Sequence, residues 1–232
     1  MKKILIIAAH PDDEILGCGG YIAKQVHLKN KVFVLYLSEG VSARYLNDDN
    51  SKKIDLEILN RKKMAIKVSN FLNFSIIDFL DYKNLRMSNV DILDIVKKIS
   101  STIKSIKPDV ILTNHSGDLN TDHKVAFEAT YTACRPLTLD YNFTKFYTYE
   151  VMSSTNWSNL LIGPNFNPNT YIEIKDFINI KKKALKFYNF EMRNFPHPRS
   201  WKSILSHHIS RGSEVGLEYA EAFSLIKDID HN

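Results

Sequence analysis

Cysteine is almost missing from this chain: Cys18 and Cys134 are the two in 232 residues, and neither has a Cys or His partner at metal-finger spacing. That argues against a disulfide framework or a thiolate zinc module and fits a reducing compartment. Long apolar runs are missing too. Met1-Lys2-Lys3 followed by apolar residues 4–9 imitates a signal peptide, but the stretch stops at His10 and acidic residues follow. No later run reaches the roughly 20 residues of a membrane span, so the expectation is a cytoplasmic protein with no transmembrane segment. An excess of one charge sign is also small. The 31 Lys+Arg against 26 Asp+Glu leave +5, which permits an anionic small substrate and does not demand nucleic acid. G-x-G-x-x-G, G-x-x-x-x-G-K-[ST] and G-x-S-x-G elements do not occur, which removes the usual nucleotide loops and the serine-hydrolase elbow. Gly17-Cys18-Gly19-Gly20 reads instead as small residues that let a helix pack close to a sheet, with Cys18 a buried thiol.

What is present is material for a sizeable core: 44% apolar, 11% aromatic and 25% charged residues, a composition that excludes disorder of the whole chain. Residues 4–9 and 32–37 are continuous apolar runs, as in strands buried on both faces of a parallel sheet, and 15–29 between them is spaced as a helix. The alternation continues with a charged helix at 54–71, a strand at 75–80, a helix at 90–106 and a strand at 110–113. Thr121 or Asp122 is placed to cap a helix through about Ala133, and 143–152 and 171–174 are further strand candidates. The polar connection 153–170 precedes helices at 176–195 and 201–212, where Lys181 to Lys183 reads as a wet face. The expected fold is a single α/β domain over 1–232, Rossmann-like, with three α/β/α layers and a mostly parallel sheet; a core of about 1–152 carries an elaboration of about 153–232.

His10-Pro11-Asp12-Asp13-Glu14 follows the first strand and opens the first helix, the place where open α/β sheets bind ligands. A helix start needs one acidic cap, and here three acidic residues stand beside a His, so a functional site is the better reading. A His and a carboxylate suit zinc but fall short of a site. A second cluster, His115-Ser116-Gly117-Asp118-Leu119-Asn120-Thr121-Asp122-His123, also follows a strand and opens a helix, and one of its histidines can complete three protein ligands with a position left for water.

These residues resemble a known family. Residues 9–14 followed by Gly17 look like the signature of the LmbE-like, or PIG-L, zinc-dependent N-deacetylases, and residues 118–123 look like their second motif. Ser38-Glu39-Gly40-Val41, Arg61 in a charged helix, Pro196-His197-Pro198-Arg199-Ser200 and Tyr219-Ala220-Glu221-Ala222-Phe223 extend the likeness along the chain. The resemblance implies an LmbE-like fold in which His10, Asp13 and His123 ligate one zinc per chain and Asp12 is the general base; a His2Asp site also accepts iron or cobalt. It implies hydrolysis of the N-acetyl group of an amino sugar by a water whose pKa zinc lowers to about 7. Some members carry a His where Asn120 stands, so the partner of the developing oxyanion is Asn120, His115 or His197. Asp122, with Asp118 in the same motif, is a candidate to orient an imidazole.

Arg44, Arg61, Arg135 and Arg199 are candidates for substrate contact from the same rim, with Arg199 and His197 favoured because two prolines fix the backbone around them. Trp157, Trp201, Tyr147 and Tyr149 suit either sugar stacking or core packing. The rival readings are another metal-dependent amidohydrolase, a phosphoesterase holding two metals, and a non-catalytic carbohydrate- or nucleotide-binding module. A small N-acetyl sugar is the expected partner, nucleic acid is not, and a homo-oligomer is left open.

Overall fold

Strand β1 (Lys3–Ala8) is buried along its whole length after Lys3, and β4 (Val110–Asn114) is buried throughout. A strand with no wet face belongs inside a sheet covered by helices on both sides. The computed structural model describes residues 1–45, 51–136 and 143–230, and these two strands are its centre. Around them lie β2 (Lys31–Ser38), β3 (Ser75–Tyr82), β5 (Lys145–Tyr149), β6 (Thr170–Glu173) and β7 (Ala220–Asp228). The order is β3-β2-β1-β4-β5-β7-β6. Pairing is parallel from β3 to β5 and antiparallel at β7 and β6.

The alternation of β1 side chains builds the three layers. Ile4, Ile6 and Ala8 join a core with helices α1 (Asp13–His27), α2 (Ser51–Leu72), α5 (Ile178–Leu185) and α6 (Trp201–Ser213). Leu5 and Ile7, with Ala9 just beyond the strand, join the opposite core with α3 (Ile92–Ile106) and α4 (Thr121–Ala133). In α3 the buried residues Ile95, Ile99, Ile103 and Ile106 recur at helical spacing, and Asp91 caps its start by accepting from Leu93 N. The α/β architecture expected from the sequence is the one the chain adopts.

From β1 the chain crosses through α1 to β2 on one side, and β4 later pairs with the other side of β1. The order therefore reverses beside β1, and the loops after β1 and β4 meet at this switch point.

Two expectations need correction, and one strand is added to them. The segment 176–195 is not one helix: α5 spans Ile178–Leu185 and a short 3-10 turn covers Lys186–Tyr188. Strand β7 lies where the sequence analysis places no element, because Glu221 and Ser224 interrupt its apolar residues. Lys181 is not on a wet face. It is fully buried, with Nζ 2.7 Å from Glu221 Oε1 and 2.8 Å from Leu16 O. The cause lies in α1, which breaks at Cys18 (φ −141°, ψ 26°). Beyond the break, Gly20 N and Tyr21 N donate to the two Glu221 oxygens at 2.8 and 2.6 Å, as orphan donors at a helix start require. Lys181 then balances the buried carboxylate. Small residues do let α1 approach the sheet, since a Cβ on Gly17 would lie 2.2 Å from Tyr149 Cδ2.

Candidate active site

Asp12 is the N-cap of α1 but does not cap it with its side chain; its backbone sits at φ 134°, ψ −27°. Its N–H donates to Glu14 Oε2 at 3.0 Å, and Tyr188 Oη donates to Glu14 Oε1 at 2.8 Å. Burial pushes the Glu14 carboxyl up to about 8. Asp13 Oδ2 accepts from His10 N at 2.9 Å and from Asn114 Nδ2 at 3.2 Å. Asp13 Oδ1 is buried and accepts no hydrogen bond among the described residues.

The α4 loop supplies the rest. His10, Asp13 and His123, all buried, each offer a ligand atom, and these atoms lie within 4.8 Å of one another. Asp13 Oδ2 is 3.3 Å from His10 Nδ1 and 3.2 Å from His123 Nε2. The outer nitrogens face other carboxylates: His10 Nε2 is 3.0 Å from Asp122 Oδ2, and His123 Nδ1 is 3.0 Å from Asp118 Oδ2. Asp122 therefore serves the histidine of the other loop, not its own neighbour. Asp122 also accepts from Leu85 N and Met87 N at 2.7 and 3.2 Å, and Asp118 accepts from Ser154 Oγ and Thr155 Oγ1. Burial works to raise both carboxyls, but their histidines and these donors hold them below the usual range. Burial likewise works to lower His123, yet Asp13 and Asp118 hold it up to about 10. His10 is raised in the same way against burial, by Asp122 and Asp13.

This arrangement fits a divalent cation. Two imidazoles are each backed by a carboxylate, a third carboxylate sets Oδ2 between them and keeps its buried Oδ1 without a donor among the described residues, and the local excess of negative charge draws protons onto the histidines.

Asp12 stands beside this group and is gripped by two arginines: Arg61 Nη2 is 2.9 Å from Oδ1, and Arg199 Nη1 is 3.0 Å from Oδ2. Burial raises its carboxyl above the ordinary value, with Arg61 and then Arg199 opposing. Arg61 is buried, and its other donors reach Pro11 O, Gly40 O and Glu191 Oε1. That placement corrects the expectation of a substrate contact for Arg61, because its hydrogen bonds close inside the protein. Arg135 follows α4, whose 13 residues carry the chain about 20 Å from the rim, so it too is removed from the substrate contacts. Arg44 is half-exposed and donates to Glu191 Oε1 at 2.6 Å.

The three candidates for the oxyanion partner are placed differently. His115 Nε2 is tied to Pro164 O at 2.9 Å. Asn120, rather than Thr121 or Asp122, caps α4, its Oδ1 accepting from Asp122 N at 2.9 Å. His197 accepts from Arg199 N on Nδ1 at 3.0 Å, and burial, then Arg199, lowers its pKa; the neutral ring carries its proton on Nε2. Trp157 packs edge-on against it at 5.5 Å, whereas Tyr149 is core. Sequence reasoning missed Asn114, Tyr188 and Glu191, which have no motif of their own.

Fold and geometry together define a Rossmann-like α/β protein with a cation-ready cluster at the switch point of its sheet. Within that class, the family model described as PIG-L: GlcNAc-PI de-N-acetylase matches residues 5–134, and the chain belongs to that family. The protein described as uncharacterized deacetylase YaiS of Escherichia coli (strain K12) is 26% identical over 191 residues, covering 80% of this chain and 89% of that protein. Among solved structures, the N,N'-diacetylchitobiose deacetylase of Pyrococcus horikoshii superposes with a TM-score of 0.76 at 19% identity, covering 97% of this chain and 84% of that one. GalB of Pseudomonas putida KT2440, a 4-carboxy-2-hydroxymuconate hydratase, gives the same TM-score of 0.76 at 19% identity over 100% of this chain and 99% of that one. A deacetylase and a hydratase share this scaffold, so the fold alone does not choose the reaction. No helix among the described residues is long and apolar enough to cross a membrane.

Proposed function

We propose that this chain is a metal-dependent N-deacetylase that hydrolyses the acetamido group of an N-acetylated amino sugar, free or conjugated. The observation that carries the reading is the buried His10-Asp13-His123 group with Asp12 beside it, in a chain of a deacetylase family. His10, Asp13 and His123 would hold one divalent ion, and zinc suits two imidazoles and a carboxylate. When bound, such an ion supplies an acidified water and a Lewis acid for the carbonyl oxygen.

Asp12 accepts the proton that the attacking water loses and passes it to the leaving nitrogen. Arg61 and Arg199 fix its carboxylate for that exchange. His197 offers Nε2–H to the carbonyl oxygen as negative charge develops there, because the proton of its neutral ring is on that nitrogen. Asp118 and Asp122 aim the two imidazoles. Arg199, Arg44 and His197 border the place where the sugar would lie, and the cytoplasm is the proposed compartment.

The test is acetate release from a panel of N-acetylated sugars, with and without chelator, alongside metal analysis. The expected result is chelator-sensitive acetate from at least one sugar and one metal equivalent per chain. Two equivalents would favour the phosphoesterase reading. Absence of chelator-sensitive acetate from every sugar would overturn the assignment.

A further inference from the structure

We propose that Glu191 is a positioning residue of this site: it holds the Arg61 and Arg199 guanidinium groups where they grip Asp12. The proposal rests on the deacetylase reading, in which Asp12 carries the proton.

Glu191 lies in the turn beyond α5, far from either sequence motif. Its side chain is 9% exposed, and both its oxygens are used. Oε1 accepts from Arg61 Nη1 at 2.6 Å and from Arg44 Nη2 at 2.6 Å, while Oε2 lies 3.3 Å from Arg199 Nη1. The same Arg199 Nη1 reaches Asp12 Oδ2, so this one nitrogen is divided between the two carboxylates. Arg61 spans them with two nitrogens, Nη1 to Glu191 and Nη2 to Asp12.

Charge explains why a second carboxylate is needed. Asp12 alone would face two guanidinium groups, with Arg44 close behind. An arginine without a counter-charge at this depth is costly, and its planar fork settles onto whichever carboxylate remains. Glu191 supplies an opposing anchor, so neither arginine is free to swing onto Asp12 and turn its carboxylate. The same stretch of chain fixes the other side of Asp12: three residues before Glu191, Tyr188 Oη holds Glu14, which accepts from Asp12 N. Residues beyond the family match at 5–134 thus set the pose of a residue within it.

The test compares Glu191→Ala and Glu191→Gln in metal-loaded protein. A misplaced reacting group costs up to about 100-fold in rate. The expected result is a fall in kcat of about 10- to 100-fold for Glu191→Ala, with KM within about threefold, unchanged metal content, and partial rescue by Glu191→Gln, which keeps an oxygen acceptor. A second measurement does not depend on turnover: side-chain 15N NMR should show slowly rotating Arg61 and Arg199 guanidinium groups, and Glu191→Ala should release Arg199. Acetate release by the wild type decides the parent reading, while the NMR comparison decides the positioning role even if no acetate appears. Wild-type kcat in Glu191→Ala, or an Arg199 signal unchanged by it, would overturn the proposal.

Discussion

Asp12 is held at φ 134°, a conformation that costs a non-glycine residue about 1–3 kcal/mol. Glycine would relieve that strain, so the side chain itself must justify the position. Asp12→Asn keeps the shape and removes the proposed proton acceptor. Its kcat for acetate release should fall about 100- to 10,000-fold, while metal analysis still finds one equivalent; unaltered turnover would remove Asp12 from the reaction. Asp122→Ala acts differently, because it frees the outer nitrogen of His10. Metal affinity should drop about 10- to 100-fold, read by competition with a chromophoric chelator. At this scale the sequence was legible where chemistry is local: His10 and Asp13 are three residues apart at one strand end. The partner of His10 is Asp122, 112 positions away, and no local spacing shows which imidazole it orients. Glu191 had no local signature at all, since its role exists only where three arginines converge.

At the scale of an element, α1 shows how a break is stabilised from a distance. The bend at Cys18 leaves Gly20 N and Tyr21 N to Glu221, and Lys181 from α5 neutralises that carboxylate at zero exposure. Removing one partner of a buried pair typically costs about 3–5 kcal/mol. Lys181→Met should therefore lower the urea midpoint strongly, and adding Glu221→Gln should recover part of the loss, because an amide oxygen can still accept one of the two N–H groups. If the double variant is less stable than the single one, Lys181 and Glu221 are not acting as a pair. The elements that read correctly, β1, β2, β4 and α3, carry their burial in their own periodicity. Strand β7 and the inner face of α5 do not, since a polar residue inside looks like a polar residue outside until its partner, 40 positions along the chain, is known.

Across the whole molecule, buried charge makes stability depend on pH in a way that metal should reverse. In metal-free protein Glu14 titrates near 8 against an unfolded value of 4.5, and His123 near 10 against 6.5. Both groups hold a proton in the folded chain that the unfolded chain has lost, so stability declines as pH rises: from 4.5 to 8 through Glu14, and from 6.5 to 10 through His123. Asp118, Asp122 and Glu191 are depressed, because their histidine or arginine partners and, for the two aspartates, hydroxyl or backbone N–H donors outweigh the raising influence of burial, and the stability they add is present at neutrality and lost in acid as pH falls through their folded values. The metal-free urea midpoint should therefore peak in mildly acidic solution and fall between pH 6.5 and 9. A divalent ion on His10, Asp13 and His123 displaces the imidazole protons, so its affinity increases with pH, and a ligand that binds only the folded chain stabilises it by RT ln(1 + [L]/Kd). The gap between loaded and metal-free midpoints should widen over the same interval, and calorimetry in buffers of different ionisation enthalpy should record proton release. A gap that narrows with rising pH would mean that the histidines are not where the ion binds.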